Sequence, residues 1–506
     1  MGPLQDIFET WAKFLYEENA TLAFLRRHRW LILAVSAAIV IPCFWHRRIE
    51  AGDLASHAYN AWLAQLIQKG QAPGLYFSGQ WNNVLFDLTL LWFAKALGLA
   101  AAQRIAVSVC VLTFFWGVFA FVNVVTERPP WFLAPCIAML AYGYSFSMGF
   151  MNYCWSLGLA CFALAIVWRP RRVHWIGGAI FALLAYVAHP IGSLWLVGMF
   201  VYVKLREKLP GWWKLILPFG AAAGFYAVFW YASHRPELSA DWDRGPFYFY
   251  NGADQLALYG NRYVVLAVVT LCLGVVCVAL DLFAGERSSW KRFTSPMEWY
   301  AVAFCATALV PENLRPSPDA GWIGLLGSRL TTVSAILGLC FLGLLKPRKW
   351  QLAGFGSCAV IFFAFLYQDT GWLNRLEVNG ERLVSNLSPG LESRVIVTLD
   401  APAGSRIQFI HHAVERACIG HCFSYANYEP SSKEFRVRVH EGNPLVTSST
   451  DTAEDMAAGE YNMDESDLPM KQIYQCDAND LTKLCIRDLK AGDDLNIDIG
   501  RKPGHR

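Results

Sequence analysis

The chain is predicted to be an all-α polytopic membrane protein with a small α+β domain at its C-terminus. Three observations carry this. Of its 506 residues, 55% are apolar and 15% aromatic, and the mean hydropathy is +0.30. Only 16% are charged, against about 25% in a typical soluble domain. Beyond Tyr367 the pattern changes: RVIVTLD and FRVRVH alternate as strands do, between clusters of Gly, Pro, Asp and Ser. The net charge of +3 and the absence of a basic tract with interleaved aromatics give no sign of nucleic-acid binding.

Residues 1–23 precede the first apolar run and read as an interfacial segment bearing Phe8, Trp11, Phe14 and Leu15, not as a cleavable signal. Twelve apolar runs then begin at Trp30, Asn83, Arg104, Trp131, Phe150, Trp175, Gly192, Trp213, Tyr263, Trp299, Leu330 and Gln351. Basic clusters set the orientation. They lie at Arg26, Arg27 and Arg29; at Arg169, Arg171 and Arg172; at Lys204, Arg206 and Lys208; at Arg287, Lys291 and Arg292; and at Lys346, Arg348 and Lys349. With these and the N-terminus inside and the tail outside, the number of spans is odd, so eleven or thirteen are expected. The discrepancy lies between Asn83 and Trp168, where one run is re-entrant or two fuse. The expected organisation is 1–23, a membrane domain 24–368 with a first outer loop 48–82, and an outer α+β domain 369–506. QDTGWLNRLEVNGERLVSNLSPG should open that domain as a short amphipathic helix, and 501–506 should fray.

The stretch from Glu50 to Trp81 carries the most chemistry. Glu50, Asp53 and His57 are spaced i, i+3, i+7 and would share one helix face. Tyr59, Trp62, Leu63 and Leu66 would form the opposing apolar surface of an interfacial helix. Gly70, Pro73 and Gly74 end it. Asp53 is the first candidate for a general base; the alternative, compatible with it, is that it caps a helix starting at Leu54. Glu50 is a candidate second acid, for a divalent cation (magnesium or manganese) or an acceptor sugar, or a partner of Arg47 or Arg48. His57 could bond to Asp53 or to a phosphate.

A second set is basic. Arg329 in GWIGLLGSRL can grip a phosphate with two parallel hydrogen bonds, with Arg315 in PENLRP as a companion. His189, in the turn YVAHPIG, could donate to the same phosphate. YGYSFSMGFMNYCW interrupts the apolar region with hydroxyl and amide groups, among them Tyr144 and Asn152, which serve either as helix–helix glue or as a cavity wall for a sugar. Of fourteen cysteines, Cys418, Cys422, Cys476 and Cys485 lie in the tail; an even count in an exported domain points to two disulfides, with connectivity open. Nearby His411, His412 and His421 around CIGHC would allow a metal reading, which the disulfides disfavour.

A cytoplasmic-to-outer span, an interfacial helix with an acid in its first turn, many further spans and a soluble outer tail resemble the GT-C superfamily of integral-membrane glycosyltransferases. GDLASHAYNAWLAQLIQKGQAPG resembles first-loop segments of bacterial GT-C-like sequences. The resemblance covers roughly residues 24–368. It implies a transferase (EC 2.4) that moves a sugar from a polyprenyl-phosphate-linked donor to a glycan, lipid or protein acceptor outside a bacterial inner membrane. Asp53 and Glu50 would occupy the acidic positions and Arg329 the donor-phosphate position. Asp53 has no adjacent acid of the protein-mannosyltransferase kind, and the tail has no WWD-type signature, so acceptor and metal stay open. The competing expectation is a non-enzymatic scaffold or a lipid or glycan transporter whose outer domain binds partners or forms a homo-oligomer. No internal repeat of the kind transporters show is present.

Overall fold

The computed structural model describes residues 26–168, 172–235, 237–244, 248–284, 290–315, 317, 322–400, 404–407, 412–432 and 435–497. The interfacial segment expected at 1–23, the basic residues Arg169, Arg171 and Arg287, His411 and the fraying expected at 501–506 lie outside them.

The chain is mostly helical. It runs α1 (26–40), α2 (Leu54–Gln68), β1 (Leu75–Phe77), α3 (Leu85–Leu97), α4 (Leu99–Thr126), α5 (Ala134–Ala141), α6 (Tyr144–Ser147), α7 (Met151–Val167), α8 (Arg172–Ala188), α9 (Pro190–Lys208) and α10 (Trp213–Ser233). It continues through β2 (Ser239–Asp241), α11 (Asn261–Ala284), α12 (Trp290–Leu309), β3 (Asn313–Arg315), α13 (Leu326–Leu342) and α14 (Lys349–Val384). The tail holds β4 (Arg394–Thr398), α15 (Glu415–Cys418), β5 (Phe423–Ser424), β6 (Val437–Val439), α16 (Thr450–Ala458), β7 (Lys471–Gln475) and β8 (Leu484–Asp488).

Among the described residues, four helices are long and apolar enough to cross a membrane: Leu99–Thr126, Trp213–Ser233, Asn261–Phe283 and Lys349–Val384. Shorter apolar helices cover Trp131–Ser147, Met151–Val167, His174–Ala188 and Leu326–Leu342. α7 is buried along most of its length and crosses α4 where two glycines meet. A Cβ on Gly117 would stand 2.2 Å from the Gly158 carbonyl oxygen, and one on Gly158 would stand 2.7 Å from the Phe114 backbone. Small residues that let backbones touch are how apolar helices gain packing where burial from water gives nothing.

The sequence places a discontinuity between Asn83 and Trp168, and the backbone is irregular there. α3 and α4 are separated by Gly98 alone, and the apolar run from Trp131 breaks at Tyr142–Gly143 and again at Met148–Phe150. Non-helical backbone at such depth is tolerated where protein covers it or a cavity opens beside it.

α14 does not stop at the membrane. Its 36 residues span roughly 54 Å at about 1.5 Å per residue, beyond the ~30 Å of a hydrocarbon core. The amphipathic helix expected after Tyr367 is its C-terminal part. In the tail, β5-β4-β7-β8 form one sheet, parallel at β4–β5 and β4–β7 and antiparallel at β7–β8. Ile396, Met456, Met463, Met470, Leu489 and Leu495 form a separate small core beneath it. Cys476 is bonded to Cys485 and Cys418 to Cys422, which resolves the pairing the cysteine count leaves open. The predicted strand RVIVTLD is β4. FRVRVH supplies β6, but β6 pairs antiparallel with β1 of the first loop, Leu75 opposite Val439, not with the tail's own sheet.

That pairing changes the reading of α2. An interfacial helix would leave one face to water, yet Leu54 through Tyr59 and Ala61 through Ala64 are all buried. The tail roofs the helix: Tyr59 Oη accepts from the Ser424 amide at 3.0 Å, and the Trp62 and Phe423 rings lie 5.6 Å apart.

Candidate functional site

Beside the broken segment between α6 and α7 lies a cavity of about 830 Å³. Its wall includes Asp53 and His57; Ser78 to Gln80 with Asn82 and Asn83; Phe150 to Tyr153; His189; Leu314; Leu326 and Arg329; and, from the tail, Phe435 and Arg438.

Asp53 is held by backbone. The Gly52 amide donates to the Ser147 carbonyl at 2.8 Å, and the Asp53 amide to the Met148 carbonyl at 3.0 Å. Two glycines allow this approach. A Cβ on Gly52 would lie 2.3 Å from the Met148 oxygen. One on Gly149 would lie 2.3 Å from the Asp53 nitrogen, and Gly149 has φ +86°, a conformation that L side chains rarely adopt. Asp53 occupies the N-cap position of α2, but its side chain makes no cap hydrogen bond. The capping alternative therefore fails, and the carboxylate is left for other partners. His412 Nε2, from the tail, stands 3.8 Å from Asp53 Oδ1, and His412 Nδ1 donates to Glu415 Oε2 at 3.0 Å. Burial pushes the Asp53 carboxyl above the usual carboxylate range, against the pull of His412, His57 and Arg329. Burial works against charging His412, but the Glu415 carboxylate outweighs it and raises the imidazole to about 9.

His57 lies on the cavity wall, but its partner is Asp87 on α3, not Asp53. Nδ1 donates to Asp87 Oδ1 at 2.6 Å. Asp87 Oδ2 accepts from Asn152 Nδ2 at 2.9 Å, and Asn152 Oδ1 accepts from the Phe86 amide at 2.7 Å. Asn152 is thus a cavity residue that also ties α3 to α7. Burial lowers the His57 pKa, yet the Asp87 carboxylate lifts it to about 9, so the imidazolium faces the cavity at neutral pH. Behind both histidines sits Glu429, bonded to Asn60 Nδ2; burial, partly offset by His412 and His57, raises its carboxyl to about 7.

Arg329 sits in the first turn of α13. Its guanidinium lies 4.3 Å from the centre of the Phe150 ring, and its carbonyl accepts from Tyr153 Oη at 2.6 Å. His189 is the N-cap of α9, and its Nδ1 accepts from the Ile191 amide at 3.2 Å. The neutral ring therefore carries its proton on Nε2, which can donate. Arg438 joins from β6 because the β1–β6 pairing brings the tail to the rim; the Ser78 amide bonds to the Arg436 carbonyl at 2.8 Å. The cavity so combines the Asp53 carboxylate with Arg329, Arg438 and the His57–Asp87 ion pair.

Three expected site residues lie elsewhere. Glu50 does not share the face of Asp53 and His57, because α2 begins only at Leu54 and helical spacing does not apply before it. It is buried against α14 and the tail, where Asn374 Nδ2 donates to its Oε1 at 2.6 Å; burial first, then Glu377, raises its carboxyl well above the ordinary range. Nor does it pair with Arg47 or Arg48, which both engage Glu381. Arg315 lies on β3, paired across from Ser239, and does not line the cavity; the second guanidinium there is Arg438. Tyr144 lies under the Arg406 guanidinium, 3.8 Å from its ring centre, and Tyr153 takes the wall position.

Among the described residues, no three His, Cys, Asp or Glu side chains are arranged to hold a metal ion. Sequence reasoning missed Glu415, Glu429 and Arg438 as site residues, and it names His412 only in the metal reading of CIGHC. The i, i+3 spacing of His412 and Glu415 is legible, but nothing linear connects it to Asp53.

Comparison with family models, with curated proteins and with solved structures finds no match for the chain.

Proposed function

We propose that the protein is a membrane glycosyltransferase of the GT-C type. It takes a sugar from a polyprenyl-phosphate-linked donor and passes it to a glycan, lipid or protein acceptor. The observation that carries this reading is one cavity lined by Asp53 and Arg329, side chains from opposite ends of the membrane domain.

The acceptor hydroxyl gives its proton to Asp53, a stronger base for being buried. The oxygen attacks the anomeric carbon, and the bond from that carbon to the phosphate oxygen breaks. The electron pair stays on the departing polyprenyl phosphate, whose charge Arg329 and Arg438 meet with paired hydrogen bonds. His189 Nε2–H donates to the same group. Asn152 and Tyr153 face the sugar. The protonated His412 keeps Asp53 ionised before the acceptor arrives. A divalent cation would have to be held by Asp53 together with the donor phosphate.

The same reading places eleven or thirteen spans in a bacterial inner membrane, the N-terminus in the cytoplasm, and the cavity and tail on the outer side. The test is a structure with a polyprenyl phosphate bound: phosphate density between Arg329 and Asp53 supports the proposal. A cavity that stays empty at saturating lipid, with no sugar released, favours a scaffold or transporter.

A further inference from the structure

The turn of α13 that carries Arg329 is itself held by buried polar groups. Ser328, Thr331 and Thr332 are each no more than 3% exposed, and none of them lines the cavity. Ser328 donates to Glu312 through its amide at 3.1 Å and through its hydroxyl at 2.6 Å. Thr332 Oγ1 lies 2.8 Å from Ser145 Oγ, and Thr331 Oγ1 donates to Asp254 Oδ2 at 2.8 Å. Buried networks of this kind fix a segment in one place as long as their members stay satisfied. Leu325, just before α13, has φ +55°, a strained conformation that persists only where the surroundings hold it.

Asp254 is the member that most needs support. It is 0% exposed, and a buried carboxylate is costly without a counter-charge. The counter-charge comes from the tail. Arg406 Nη2 lies 3.1 Å from Asp254 Oδ2, and Arg406 Nη1 donates to the Asp254 carbonyl at 2.7 Å. The Arg406 amide donates to the Leu258 carbonyl at 2.9 Å, and the guanidinium covers the Tyr144 ring. Arg406 does not line the cavity. Its contacts run through Asp254 to Thr331, two residues from Arg329 on the same helix.

We propose that Arg406 is a positioning residue for Arg329. By clamping Asp254 against Thr331 it fixes the first turn of α13, and so the point at which the Arg329 guanidinium meets the donor phosphate. This rests on the reading that Arg329 meets that phosphate. It gives the tail a second hold on the site, beside the one through His412.

The test measures binding of farnesyl phosphate to the purified full chain by calorimetry, with farnesol as the phosphate-free control. Arg406→Met should weaken farnesyl phosphate binding about tenfold and leave farnesol unchanged, which a general loosening of the fold would not do. In an Arg329→Ala background the same substitution should have no further effect. Arg406→Lys, which keeps a charge beside Asp254, should recover most of the loss. Thr331→Val cuts the link without stranding the carboxylate, and should weaken farnesyl phosphate binding as Arg406→Met does even if that variant fails to fold. Wild-type affinity in Thr331→Val or in a folded Arg406→Met, an equal loss with farnesol, or an equal loss in the Arg329→Ala background overturns the proposal. No binding of farnesyl phosphate by the wild type overturns it together with the sugar-transfer reading.

Discussion

His412 Nε2 stands 3.8 Å from Asp53 Oδ1 while its Nδ1 bonds to Glu415 at 3.0 Å. The acid at the head of the first loop is therefore coupled to the tail through one imidazole. The link has a pH signature. The folded-state pKa of His412 is raised from 6.5 to about 9. A raised histidine contributes stability that is fully present below 6.5 and is lost as pH rises through 9. The thermal midpoint of wild type should exceed that of His412→Gln most below about pH 6.5, and the gap should close as pH rises through 9. A gap that widens with pH would mean that the ring is neutral in the fold.

Gly149 fixes Asp53 by having no side chain. Gly149→Ala adds a Cβ 2.3 Å from the Asp53 nitrogen at φ +86°. It should cost about 1–3 kcal/mol of stability and, by moving Asp53, most of the transfer activity. Gly198→Ala, where a Cβ meets nothing within 4 Å, is the control and should be stable and active. Denaturant unfolding with a parallel transfer assay checks both.

Glu50 and Asp53 are three residues apart in sequence but should respond oppositely to amidation. Burial, then Glu377, push the Glu50 carboxyl toward its neutral form, so Glu50→Gln should change stability by less than about 1 kcal/mol and leave transfer intact. Asp53→Asn should leave the fold intact and remove transfer. Equal loss in both would return Glu50 to the catalytic set.

The Arg416–Glu377 pair, at 3.0 Å with both side chains no more than 5% exposed, fastens the tail to α14. Arg416→Ala should cost about 3–5 kcal/mol, because it strands a buried carboxylate. Arg416→Ala/Glu377→Gln should recover part of that loss. Limited proteolysis of the tail reports the difference. At the rim, Arg438→Ala should chiefly raise the donor KM, whereas Arg329→Ala should lower kcat by about a hundredfold if it meets the leaving phosphate.

Much of the architecture follows from composition, and the reasons differ by region. The helices and the strand-bearing tail are visible because hydropathy and alternation are local properties. So is the break near Tyr144–Asn152, where hydroxyl and amide groups interrupt an apolar run. Asp53 is legible because an ionisable group at such depth is costly without a partner or a purpose; His57 is legible from its helical spacing, Arg329 and His189 from outer turns, and Asn152 from the amide-bearing break. Glu50 was misplaced because the helix starts four residues later than the periodicity assumed. The burial of α2, the β1–β6 pairing and the approach of His412 and Arg438 depend on contacts between the first loop and a tail more than three hundred residues away. No spacing rule reaches that far.

The most direct measurement is release and transfer of label when purified protein meets radiolabelled polyprenyl-phosphate sugars, wild type beside Asp53→Asn. The account predicts turnover by the wild type and none above background by a folded, membrane-inserted Asp53→Asn. Equal turnover by the two, or none by the wild type across the common sugar donors, would contradict it.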